Sequence, residues 1–159
     1  MSIFDRIQNK MFGLDDPNSP KCCFCFPLKC GIYFIGVMAV MDFSYEISRT
    51  ALMAEHFSVV IGILTIPCLL FMVTNISFHL LYCFRDSARN RRFLVQGCSL
   101  QITANILILF GWILASIFVE GIGGSLLLQM IITYTIQILC WFYFRMVCSQ
   151  WVSLGDQSE

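Results

Sequence analysis

The chain has 159 residues, 58% of them hydrophobic and only 13% charged, with a mean hydropathy of +0.76; soluble domains carry roughly a quarter charged residues. That composition excludes a soluble globular domain and leaves too little polar chain for a soluble catalytic one. Ten Lys and Arg balance ten Asp and Glu, so no net positive field exists to hold a phosphate backbone, and nucleic acid is excluded as a partner.

Residues 1–29 read as a cytoplasmic tail. Phe4, Ile7, Met11 and Leu14 recur at helical spacing with Arg6 and Lys10 between them. This is the pattern of a short amphipathic helix, lying on the inner leaflet or packed beneath the spans. Asp16-Pro17-Asn18-Ser19-Pro20 ends it. No apolar core precedes a cleavage site, and Asp5, Asp15 and Asp16 do not suit a transit peptide, so no cleaved leader is expected. Four thiols follow beside Lys21 and Lys29: Cys22, Cys23, Cys25 and Cys30. Thiols directly before a span suit reversible S-palmitoylation. The Cys22-x2-Cys25 spacing also matches a zinc-ligand pair, and a thiol can pack simply as a small hydrophobe. None of the nine cysteines falls in an expected outer loop, which argues for thiols rather than a disulfide framework.

Four apolar segments follow, at residues 31–50, 57–83, 94–119 and 125–148. Each is long enough for a span of about 20 residues. Pro67 lies inside the second and predicts a tilt or kink there. The connections are short, so consecutive spans are expected to run antiparallel. The predicted fold is an all-α membrane protein, a four-transmembrane-helix antiparallel bundle with short loops over residues 30–148, followed by a cytoplasmic tail at 149–159. Arg6, Lys10, Lys21, Lys29, Arg85, Arg89, Arg91, Arg92 and Arg145 share one side in this layout, and only Arg49 lies on the other. The positive-inside rule then places both termini and the Arg85 to Arg92 connection on the cytoplasmic side.

Polar residues inside spans must find partners, because a charge at mid-bilayer costs several kcal/mol or is neutralised. Asp42 lies about 17 Å into the first span at 1.5 Å per residue, and Glu46 follows one turn later on the same face. Asn105 and Gln137 fall at similar depth, so Asp42, Asn105 and Gln137 are expected to form an inner cluster. Glu46 and Arg49 are spaced for an i,i+3 ion pair nearer the outer interface. The fourth span carries Ser125, Gln129, Thr133 and Gln137 as a polar stripe, expected to face protein or water. Gly97, Ala104, Gly111 and Ala115 make a small-residue face on the third span, suited to close helix packing. His56 and His79 stand at opposite ends of the second span, too far apart to ligate one metal. They are expected to be a loop and an interfacial residue respectively. No nucleophile or phosphate-loop motif occurs, so no catalytic residue, cofactor or resident metal ion is expected.

At Cys22-Cys23-Phe24-Cys25-Phe26-Pro27-Leu28-Lys29-Cys30-Gly31 the chain resembles the start of the lysosome-associated and Golgi four-transmembrane protein family. There a cysteine cluster, a basic residue and a glycine lead into the first helix. Cys140-Trp141-Phe142-Tyr143-Phe144-Arg145-Met146-Val147-Cys148 is similar in its aromatic and cysteine character. The resemblance implies an endolysosomal or Golgi membrane protein, a transporter or an adaptor of other membrane proteins. Residues 150–159 carry no PPxY, tyrosine or dileucine sorting motif.

The expected function is non-enzymatic: a multi-pass protein of endomembranes that associates laterally with itself or with other membrane proteins, as an adaptor, assembly factor or structural subunit. The alternatives are a small-molecule or proton-coupled transporter using Asp42 and Glu46, and an accessory subunit of a mitochondrial inner-membrane complex. The expected partners are the lipid bilayer and other membrane proteins, in a homo-oligomer or a larger complex, in an endolysosomal or Golgi membrane, with plasma and mitochondrial inner membranes as alternatives.

Overall fold

A computed structural model describes residues 21–22, 26–54, 59–118 and 124–156, and side-chain surroundings for 31–51, 65–117 and 124–153. The proposed amphipathic helix at Phe4 to Leu14, Cys23, Cys25, His56, Glu55 and Glu120 lie outside the described residues. So do the surroundings of Cys22 and Cys30. Among the described residues, secondary structure is helical apart from a two-residue antiparallel ladder between β1 (Lys21–Cys22) and β2 (Phe26–Pro27). Four helices follow: α1 (Leu28–Ala54), α2 (Val59–Phe84), α3 (Ala88–Phe118) and α4 (Gly124–Asp156). α2, α3 and α4 contain segments long and apolar enough to cross a membrane, at Thr65–Phe84, Ala88–Ile117 and Gly124–Ser153, which fits an integral membrane protein. α1, whose apolar run is broken by Asp42, Glu46 and Arg49, is not among them.

α2 packs on α3 and α3 on α4, while α1 closes the circuit against α2 and, over a smaller contact, α4. Two apolar clusters fill the interior. One gathers Ile32, Ile35 and Ala39 of α1 with Tyr82, Leu94, Cys98, Trp141, Phe144 and Val147, toward the end that holds the α2–α3 connection. The other joins Cys68 and Met72 to Ala104, Ile108, Trp112, Met130 and Tyr134, toward the opposite end. The outward surface is equally apolar: Val37, Met41, Ile66, Leu70, Phe110, Ile117, Leu139 and others stand exposed. In water such a surface would aggregate; in lipid it costs nothing to leave it uncovered. Outward hydroxyls are neutralised locally. Ser44, Ser48, Thr74, Ser77 and Thr103 each donate to the carbonyl one turn back in their own helix, so these hydroxyl hydrogens are not left bare in hydrocarbon.

α2 runs through Pro67, which is exposed, as one continuous helical segment. Two expectations need adjusting. The α2–α3 connection is only residues 85–87, because α3 begins at Ala88, well before residue 94. Ser87 Oγ accepts from the Asn90 backbone N–H at 3.3 Å, an N-cap, and the Asn90 amide donates back to the carbonyls of Arg85 and Leu81 at the end of α2. Arg91 pairs with Asp86 at 2.6 Å. Finally, α4 runs beyond Cys148 to Asp156. Trp151 lies under the Arg91 guanidinium, 4.9 Å from Cζ to ring centroid, a cation–π contact that gives those last turns something to pack on.

Candidate functional site

The interior holds two polar seams. In the first, Glu46 of α1 is 1% exposed and its Oε2 accepts from Arg49 Nη2 at 2.6 Å. Its other oxygen accepts from the Tyr134 hydroxyl of α4. The Arg49 guanidinium is held between two rings, 4.9 Å from the Trp112 centroid of α3 and 5.1 Å from that of Tyr134, with Nη1 at 3.5 Å from Met130 Sδ. An arginine suits this place because its planar cation stacks on aromatic faces and is weakly hydrated. The i,i+3 pair expected from the sequence is therefore present, and it is buried among three helices. One turn earlier, Asp42 is half-buried and accepts from Trp141 Nε1 of α4 at 2.6 Å.

The expected inner cluster of Asp42, Asn105 and Gln137 does not assemble as such. Asp42 takes the indole instead. Asn105 is buried with its Nδ2 unpartnered, and Gln137 is half-buried with its Oε1 unpartnered. Gln129 stands exposed on the outer side of α4. The inward face of that helix is set by Met130, Tyr134 and Trp141, and Gln129 is turned about 100° from Met130 at one residue's spacing.

The second seam lies between α2 and α3. Asn75 Nδ2 donates to Gln101 Oε1 at 3.2 Å, both residues being fully buried. His79, one turn on, is 4% exposed, with Nδ1 at 3.0 Å from the Asn75 carbonyl. Gly97 permits the close approach: a Cβ there would stand 2.5 Å from Asn75 Oδ1 and 3.3 Å from Phe78. Ala104 and Ala115 are buried, whereas Gly111 has nothing within 4 Å of where its Cβ would be. The helix turns about 20° short per heptad, so Gly97, Ala104 and Gly111 drift steadily, and the eleven-residue step from Ala104 to Ala115 returns to the contact face. Asn75 Oδ1, Gln101 Nε2, Asn105 Nδ2 and His79 Nε2 remain buried without a hydrogen-bond partner. Each has capacity for a further ligand.

Sequence reasoning missed Asn75, Gln101 and the burial of His79 between helices. A signal existed: Asn75 and His79 are spaced i,i+4 on α2, and Gly97, Gln101 and Asn105 likewise on α3, two polar stripes that can face each other. It also missed that His79 lies beside Cys98 of α3 and Cys148 of α4. No protein-family model matches this chain, nor does any characterised protein or solved structure.

Proposed function

We propose that this is a non-enzymatic four-span membrane protein that acts by lateral association with itself or with other membrane proteins. In this reading α1 is the fourth span, despite its charges, and the helices form an antiparallel bundle. The observation that carries the proposal is the engagement of the interior carboxylates. Glu46 is committed to Arg49 and Tyr134, and Asp42 to Trp141, so both charges tie α1 to α4 instead of lining a path. The outward setting of Gln129 on α4 supports a neighbour there, since an amide facing hydrocarbon gains from a hydrogen-bonding partner. An endomembrane location rests on the resemblance of the cysteine-rich segment before α1 and of the aromatic end of α4.

Native mass spectrometry of the full chain extracted in mild detergent tests the reading. A defined oligomer or a stoichiometric co-purifying membrane protein is expected, weakened by Gln129→Leu. A strictly monomeric chain that catalyses solute flux in proteoliposomes would overturn it. The orientation has its own test: tags at the two termini should be equally accessible to protease in oriented vesicles, because nine of the ten basic residues lie on the side assigned to both. Opposite accessibility excludes four spans.

A further inference from the structure

Cys98 and Cys148 are fully buried, and their sulfurs stand 3.8 Å apart across the α3–α4 contact. A ring nitrogen of His79 lies within 4.8 Å of both. The three side chains come from three helices and belong to or adjoin the same buried cluster. The geometry of the sulfur pair is informative: two thiolates bound at about 2.3 Å to one tetrahedral ion stand about 3.8 Å apart, the separation observed. A disulfide needs about 2.05 Å, so the sulfurs are not bonded to each other; they are in thiol–thiol hydrogen-bond contact, at a separation that a shared ligand also fits.

The tautomer of His79 agrees. Its Nδ1 lies 3.0 Å from the Asn75 carbonyl oxygen, which can only accept, so Nδ1 carries the proton and Nε2 the lone pair. Nε2 is buried and has no hydrogen-bond partner. An imidazole held through one N–H by a backbone carbonyl, with its other nitrogen free, is the arrangement typical of metal-ligating histidine. Gly36 of α1 lies against the same ring, a Cβ there standing 3.4 Å from Cδ2, so the imidazole has little freedom to turn away.

We propose that His79, Cys98 and Cys148 bind one soft closed-shell metal ion, Zn2+ or Cu+, within the membrane. Two thiolates and a neutral imidazole select such ions over Mg2+ or Ca2+, which require oxygen ligands. With Zn2+ the complex carries no net charge, which suits a site with little water. With Cu+ it carries one negative charge, and Arg145 stands on that flank, its Nε donating to Ser99 Oγ at 2.9 Å. His79 is five residues from the end of α2 at Phe84, so an ion entering from the end that holds the α2–α3 connection reaches the site without crossing the bilayer.

The test uses the full chain with Cys22, Cys23, Cys25 and Cys30 changed to serine, so that the tail thiols contribute no metal. The protein is purified anaerobically in mild detergent, loaded with Zn2+ or with Cu+ and desalted. About one equivalent of one of the two metals is expected to remain bound. Cys98→Ala or Cys148→Ala should abolish retention, and His79→Ala should weaken it at least tenfold. Cys83→Ala and Cys140→Ala, at exposed thiols, should change nothing. X-ray absorption on the loaded protein does not depend on any site variant folding; it should show two sulfur ligands at about 2.3 Å and a nitrogen at about 2.0 Å. Substoichiometric retention of both metals, a shell without sulfur, or a Cys98–Cys148 disulfide in protein prepared without oxidant would overturn the proposal.

Discussion

Arg49→Met is expected to destabilise the folded helices by about 3–5 kcal/mol, because it leaves the Glu46 carboxylate buried without its cation. Glu46 is 1% exposed and keeps only the Tyr134 hydroxyl once Arg49 is gone. One neutral donor does not offset the desolvation of a carboxylate in this setting. The arginine also fills the gap between Trp112 and Tyr134, and methionine restores much of that volume, so the loss reads chiefly as charge. Glu46→Gln combined with Arg49→Met removes both charges and should recover most of the stability, since a buried pair replaced by well-fitting neutral groups is often tolerated. Denaturant-detergent titration of the three proteins, followed by helical circular dichroism, measures both steps. A single variant as stable as wild type would mean that the pair contributes little, and a double variant no better than the single would assign the loss to packing.

The second prediction concerns Asp42, where a structural role and proton coupling part. Its Oδ2 accepts from Trp141 Nε1 at 2.6 Å. Asp42→Asn keeps an acceptor oxygen of similar size in the same place and should leave folding and assembly nearly unchanged. Asp42→Leu strips the indole N–H of its acceptor at an otherwise buried tryptophan, and should cost about 1–3 kcal/mol, the price of an orphaned buried donor. Asp42→Leu/Trp141→Phe removes both partners and should regain part of it. If the carboxylate instead carries protons, the pattern inverts: Asp42→Asn folds normally and loses pH-dependent flux in proteoliposomes, because an amide cannot shuttle a proton. Unchanged behaviour of the asparagine variant in both assays supports the structural role.

Much of the fold was legible because lipid imposes a simple rule. Apolar runs of sufficient length become helices, and the segments near residues 57–83, 94–119 and 125–148 did so. The Glu46–Arg49 pair was legible because it lies within one helix, where spacing alone brings side chains together. Contacts between helices depend on how each helix is rotated about its axis, which periodicity constrains loosely when every face is apolar. Trp141 was counted as hydrophobic, so its N–H was overlooked as the partner that Asp42 required. His79, Cys98 and Cys148 lie in three separate segments, and no spacing rule connects them. The helix ends were misjudged where hydropathy gave out before helical hydrogen bonding did: Ser87 and Asn90 start α3 within an arginine-rich stretch, and Trp151 carries α4 past Cys148.

The sequence distances across the two polar seams have a consequence for biosynthesis. Asn75 and Gln101 are 26 residues apart on consecutive helices, so α2 and α3 can form this amide–amide hydrogen bond as a hairpin as soon as both have emerged. Glu46 meets Tyr134 and Asp42 meets Trp141 only 88 and 99 residues later in the chain. While α4 is still being made, Arg49 is the one charged partner that α1 brings for Glu46 on its own helix. The local ion pair can thus form within α1 alone, and the Tyr134 and Trp141 hydrogen bonds complete the seam only once α4 is present.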